Sequence, residues 1–175
     1  MGKRTKQPVA SERQDPIDIL FQEHAITLKY LQQLHTATEF IRVNGFNFDA
    51  FQKIEEAIHF IDAEIRHHNE KEEAYLFPLM DRHLKEPPDV MRTEHLELWK
   101  SLAALRECIK DVLESRIYPT IVRELVHRCF SITELLSNHI AKENNVLFPM
   151  AKKMLTKEEY ELFRTQMAKA TPSTA

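Results

Sequence analysis

Glycine is almost missing from this chain, with two residues in 175, while 29% of the residues are charged. Together these figures point to helices joined with few tight turns. Cysteine is just as scarce: Cys108 and Cys129 are too few and too far apart for a disulfide framework or a thiolate metal motif. That suits a reducing compartment. No apolar run approaches the length of a membrane span, and nothing resembles a signal peptide. The net charge of -3 supplies no pull towards nucleic acid or membrane. Lys3, Arg4 and Lys6 read as a solvated end and not as a binding arm. The expectation is a soluble, cytoplasmic protein with no nucleic-acid or membrane partner, long enough for one core and too short for two ordinary domains.

What is present is a repeat. His67-His68-Asn69-Glu70-Lys71-Glu72 leads to Leu76-Phe77-Pro78, and Asn138-His139-Ile140-Ala141-Lys142-Glu143 leads to Leu147-Phe148-Pro149. The two stretches are offset by 71 positions, and the same offset carries Glu23-His24 onto Glu94-His95. Each half of the chain therefore reads His, then His-x-x-x-Glu, and a period of this kind governs the fold.

Residues 1–14 are polar and aperiodic and are expected to form a disordered tail. Asp15 as N-cap with Pro16 behind it starts a first helix running to about Arg42. Its apolar positions are Ile17, Leu20, Leu28, Leu31 and Leu34, with His24 among them, and Asn44-Gly45 stops it. Asn47 caps a second helix, with Phe46 and Phe51 placed as a hydrophobic staple. Phe51, Ile54, Ile58, Ile61 and Ile65 are spaced alternately three and four, and the next two steps of that series are His68 and Glu72. Pro87-Pro88-Asp89 starts a third helix with the stripe Met91, His95, Leu98, Leu102, Leu105, Ile109 and Val112. Tyr118-Pro119 opens a fourth with Val122, Leu125, Cys129, Ile132, Leu136, His139 and Glu143. Pro78 and Pro149 should kink or end their helices nearby. Thr156-Lys157-Glu158-Glu159 is a capping box for a short fifth helix ending near Lys169, with 170–175 disordered beyond it. The fold class is all-α: an antiparallel up-down-up-down four-helix bundle over residues 15–155, followed by a short C-terminal helix at 156–169.

A single histidine on an apolar stripe is more often a hydrogen-bonded core residue than a ligand. Six polar residues in matched inward positions are another matter. His24, His68, Glu72, His95, His139 and Glu143 face one another in such a bundle. His-x-x-x-Glu places both side chains on one helical face, one turn apart. Buried carboxylates must be paired, protonated or bound to a cation. Four imidazoles and two carboxylates make a mixed nitrogen and oxygen site with room for two metals. Such a set suits iron best, with manganese or zinc as alternatives and copper disfavoured without thiolate or thioether ligands.

His67 and Glu73 flank the first pair, but their counterparts are Asn138 and Asn144, so they read as surface or supporting residues and not ligands. Glu23 and Glu94 recur beside His24 and His95, where they either orient those rings or pair with lysines. His35, His59, His83 and His127 lie off the pattern and should be solvated, and Cys129 reads as core filler. Glu56-x-x-His59, Glu64-x-x-His67 and Glu124-x-x-His127 have the spacing of ferritin-like di-iron motifs. None recurs under the offset, and they are rejected as ligands.

With His24, His68-x-x-x-Glu72, His95, His139-x-x-x-Glu143 and two Leu-Phe-Pro tails in place, the chain resembles the hemerythrin-like, or HHE cation-binding, family across residues 15–155. The resemblance implies a non-haem diiron centre, two iron ions joined by an oxo or hydroxo bridge, with Glu72 and Glu143 bridging. It also implies access for O₂, nitric oxide or peroxide. The oxygen carriers of that family have a further His where this chain has Trp99, and an Asp ligand where it has Asn144. The set of four His and two Glu instead resembles the bacterial and regulatory branches, and leaves one coordination position open. The family also includes nitrosative-stress proteins that repair iron–sulfur clusters, usually with a small Cys-bearing domain ahead of the bundle. Residues 1–14 contain no Cys, which makes repair the less favoured expectation.

Two functions from different classes follow: a module that binds or senses O₂, nitric oxide or peroxide or takes part in iron homeostasis, and a diiron enzyme that consumes peroxide or nitric oxide. An enzyme needs a proton donor beside the metal. Tyr30 and Tyr75 are the nearest candidates, and both read as packing residues. The binding module is favoured, with a small diatomic ligand or peroxide and an unidentified protein as its partners.

Overall fold

The computed structural model describes residues 14–170, and among these there is no strand. The long helices are α1 (Pro16–Asn44), α2 (Phe48–Lys71), α4 (Pro88–Leu113) and α5 (Pro119–Lys142). Two short helices, α3 (Phe77–Met80) and α6 (Phe148–Met154), prolong α2 and α5, and α7 (Lys157–Ala170) closes the chain. Of the tails expected at 1–14 and 170–175, residues 1–13 and 171–175 lie outside the described residues, while Ala170 belongs to α7.

Local chemistry sets the ends as the sequence suggests. The Asp15 carboxylate accepts from the Ile17 N–H at 2.9 Å, and Gly45 takes φ 83°, a left-handed value, to end α1 with its N–H on the Ile41 carbonyl. Asn47 Oδ1 accepts from the Ala50 N–H at 2.9 Å, and the Phe46 and Phe51 rings lie 5.8 Å apart across that cap. Thr156 and Glu159 exchange both bonds of a capping box, at 3.0 and 3.2 Å.

The four long helices form a ring in which α1 packs on α2 and α5, and α4 packs on α5 and α2. Every apolar position expected on α2 and α4 is buried, whereas Val122 on α5 is half-buried against the core. On α1 one position was misplaced: Leu28 is exposed and Thr27 is buried in its stead. The buried series Leu20, His24, Thr27, Leu31, Leu34, Thr38, Ile41 keeps the alternating three-four step without a break. Continuity of the seam decides which of two neighbouring positions turns inward, and a threonine methyl suffices to fill it. Thr38 satisfies its hydroxyl on the Leu34 carbonyl at 2.7 Å.

The helices end near both prolines as expected, α3 at Met80, two residues past Pro78, and α6 at Met154, five past Pro149, but neither proline breaks the helix at its own position. Each follows a π turn, Glu72–Leu76 and Glu143–Leu147, in which the N–H of Phe77 or Phe148 reaches back five residues to the Glu72 or Glu143 carbonyl. The wider turn moves the preceding carbonyls from under the proline ring, so the helix continues where an α-helical turn would clash.

The core is divided in two. A large cluster fills the bundle from Phe51 and Val112 up to Ile65, Leu98 and Ile140. A second, smaller one caps the end where the chain enters. It is built from Ile17, Leu20, Phe77, Met80, Met91, Phe148, Ala151, and Phe163 and Met167 of α7. On each long helix the expected ligands fall between these two clusters. They form one polar layer enclosed by apolar ones.

Candidate metal centre

His24 from α1, His68 from α2, His95 from α4 and His139 from α5 turn their Nε2 atoms into this layer, and Glu72 and Glu143 enter it from the first residues of the two π turns. All six side chains are buried, the two carboxylates completely. Glu72 Oε1 lies 3.5 Å from His68 Nε2, and its Oε2 lies 3.5 Å from His95 Nε2. Glu143 Oε2 lies 3.2 Å from His24 Nε2, and its Oε1 lies 3.0 Å from His139 Nε2. Each carboxylate thus spans rings of both halves. Two overlapping groups are compact enough to hold an ion: Glu72, His95, His139 and Glu143, and His24, His68 and Glu143.

Hydrogen bonding within the layer is partial: His24 Nε2 and His68 Nε2 bond each other at 2.8 Å, and the other four residues are left open. Both oxygens of Glu72, both oxygens of Glu143, and Nε2 of His95 and His139 are buried without a hydrogen-bonding partner. A buried unsatisfied polar atom costs roughly 1–3 kcal/mol, and a charged one more. Six such atoms converging on one spot fit a cation and little else. Burial works against a charged His68 ring, but the Glu72 and Glu23 carboxylates override it and push the ring up to about 10. Burial is likewise overridden at His95, which Glu143, Glu72 and Glu73 push up to about 10, and at His139, raised by Glu143 and Glu94. Glu143 is held well below the usual carboxylate range despite its burial, because His139, His24 and His95 surround it.

Each ring is fixed from behind. His68 Nδ1 bonds Glu23 at 2.9 Å and His139 Nδ1 bonds Glu94 at 3.0 Å. Lys71 and Lys142 hold the other oxygens of those two carboxylates. Glu23 and Glu94 therefore orient the rings of the neighbouring helix, and not His24 and His95 beside them in sequence. Adjacent helical residues point about 100° apart, so the residue next to an inward one faces sideways onto the next helix. The expected lysine pairing is present, and the rings these carboxylates orient are His68 and His139 instead of the expected His24 and His95. His95 Nδ1 bonds Glu73 at 2.6 Å, and His24 Nδ1 bonds Asn144 Oδ1 at 2.8 Å. With Nδ1 engaged by an acceptor, Nε2 is the nitrogen each ring presents to the layer, where His24 Nε2 and His68 Nε2 share their hydrogen bond.

The residues set aside do lie outside. His35, His59, His67, His83 and His127 are exposed, and His83 pairs with Glu159 at 2.7 Å. Tyr30 stacks on Phe60, and Tyr75 packs into the apolar cap. Trp99 is half-buried with the Arg66 guanidinium 4.5 Å above its ring. Cys129 is fully buried core filler, as expected.

Among curated proteins, the chain is 33% identical over 92 residues to the iron-sulfur cluster repair protein YtfE of Cronobacter sakazakii, covering 50% of this chain and 42% of that one. It is similar to the same extent to the YtfE protein of Salmonella typhimurium. The chain thus spans less than half the length of the curated relatives it matches. The description of the hemerythrin HHE cation binding domain matches residues 15–151, and the chain belongs to that family.

Proposed function

We propose that this protein holds a non-haem diiron centre and binds or senses a small molecule there, O₂, nitric oxide or peroxide. His24, His68, Glu72, His95, His139 and Glu143 are its ligands. The observation that supports this best is the convergence of six buried, partnerless donor atoms around carboxylates that reach rings of both halves. His24 and His68 would hold one ion and His95 and His139 a second, with Glu72 and Glu143 within reach of both pairs of rings. An iron pair supplies reversible redox and an open coordination position for the small ligand.

The chain's own residues hold the rings in one tautomer, as described above, and keep bulk water out. Phe77 and Phe148 close the layer from the cap side, stacked near His95 and His24 at 5.7 and 5.4 Å. The nearest tyrosines are engaged in packing, which supports a binding module over an enzyme that must move protons. Among the described residues no helix is long and apolar enough to cross a membrane, and both thiols are free, which supports a cytoplasmic setting.

A second reading is favoured by the curated relatives, which are named for repair of iron–sulfur clusters. The shared half of the chain supports iron–sulfur cluster repair as the alternative role.

The test is an optical spectrum of protein purified without added metal, then exposed to air, peroxide and nitric oxide. The proposal expects diferric absorption that responds to one of these and persists without turnover. Rapid consumption of the added molecule would make the protein an enzyme, and a spectrum with no metal absorption would remove the redox role.

A further inference from the structure

The two halves are not equal in charge around the rings. Positions 73 and 144 are equivalents under the repeat, and each supports the first histidine of the opposite half. At His95 the support is the Glu73 carboxylate; at His24 it is the neutral Asn144 amide. Both His95 and His139 are therefore backed by carboxylates, whereas of His24 and His68 only His68 is.

The lysines differ as well. Lys71, beside Glu23, is 4% exposed, and Lys142, beside Glu94, is 51% exposed. A buried ammonium cancels more of its carboxylate's field than one screened by water. The donor groups differ in the same sense, with four donors mutually close around His95 and His139 and three around His24 and His68.

We infer that the two metal positions have unequal affinity: the position at His95 and His139 fills first, and the position at His24 and His68 binds its ion more weakly and exchanges it. This rests on the two-metal centre proposed above. A carboxylate behind a ligating imidazole makes the ring a stronger donor, and losing one costs roughly 10–100-fold in metal affinity. Glu73 sets the difference as a positioning residue, without touching the ion.

The experiment is a calorimetric titration of the metal-free full chain with zinc, a redox-inert probe, using a competing chelator for the tighter step. The wild type should show two steps at least about tenfold apart. Glu73→Gln keeps the shape of an exposed side chain and removes its charge. It should weaken the first step by roughly 10–100-fold and narrow the gap. Asn144→Ala should weaken the second step and leave the first in place. Two zinc ions of equal affinity, or a first step unmoved by Glu73→Gln, would overturn the inequality while leaving the two-metal centre intact. Zinc uptake unchanged in both His68→Ala and His139→Ala would instead sink the centre itself.

Discussion

Glu23→Gln and Glu94→Gln are the same substitution at equivalent places of the two halves, and the structure assigns them different costs. Both variants replace a carboxylate that accepts from a ring Nδ1, and the glutamine oxygen can still accept that bond. Loss of charge at the ring is common to both and cancels in the comparison. What does not cancel is the lysine. Lys71 is 4% exposed and Lys142 is 51% exposed. Removing one member of a buried ion pair costs about 3–5 kcal/mol, and since Glu23 is 22% exposed the lower figure, about 3 kcal/mol, applies. Removing the partner of an ammonium that water already screens costs about 1 kcal/mol at most, even though Glu94 itself is 15% exposed. The difference of about 2 kcal/mol corresponds to roughly 4–8 °C in Tm for a chain of this size. Thermal melts of the metal-free variants, followed by circular dichroism, measure it without interference from metal affinity. Equal shifts, or a larger one for Glu94→Gln, would refute the assignment of Lys71 as the buried partner.

Three other outcomes are expected. Zinc uptake near neutral pH should release protons, seen as calorimetric heats that change with the buffer's ionisation enthalpy. The rings of His68 and His95, pushed up to about 10 by surrounding carboxylates against burial, are protonated in the metal-free chain. Loading should therefore weaken as the pH falls. Burial pushes the Cys129 thiol up to about 12 and raises that of Cys108. A thiol reagent at pH 8 should accordingly react slowly with the folded chain and fully after denaturation. Thr156→Ala breaks the capping box of α7 and should cost about 1 kcal/mol, read as a lower denaturation midpoint; no change would mean that the packing of Phe163 and Met167 and the Tyr160–Asp15 bond hold α7 without its cap.

The six-residue layer and the four-helix fold are legible in the sequence because two periods coincide there. The three-four step marks the inward face, and the offset of 71 marks which polar residues on that face recur. Leu28 was misplaced because apolarity alone does not choose between positions three and four beyond His24; the seam does, and it takes Thr27. The π turns are not legible in the sequence, because a proline signals its clash with an α-helical turn and not the wider turn that accommodates it. Glu73 and Asn144 were set aside as ligands since their identities differ between halves. Their role recurs nonetheless: each accepts from a ring Nδ1, a task that either an amide or a carboxylate performs. Asn69, buried beside His68 where the other half has Ile140, gives no signal in sequence at all.

The most direct test of the central claim is iron content per chain in the wild type beside Glu72→Ala, Glu143→Ala and His59→Ala. The account predicts about two irons in the wild type and in His59→Ala, and a sharp loss in both glutamate variants, since each carboxylate serves both positions. Equal iron in all four proteins would contradict it.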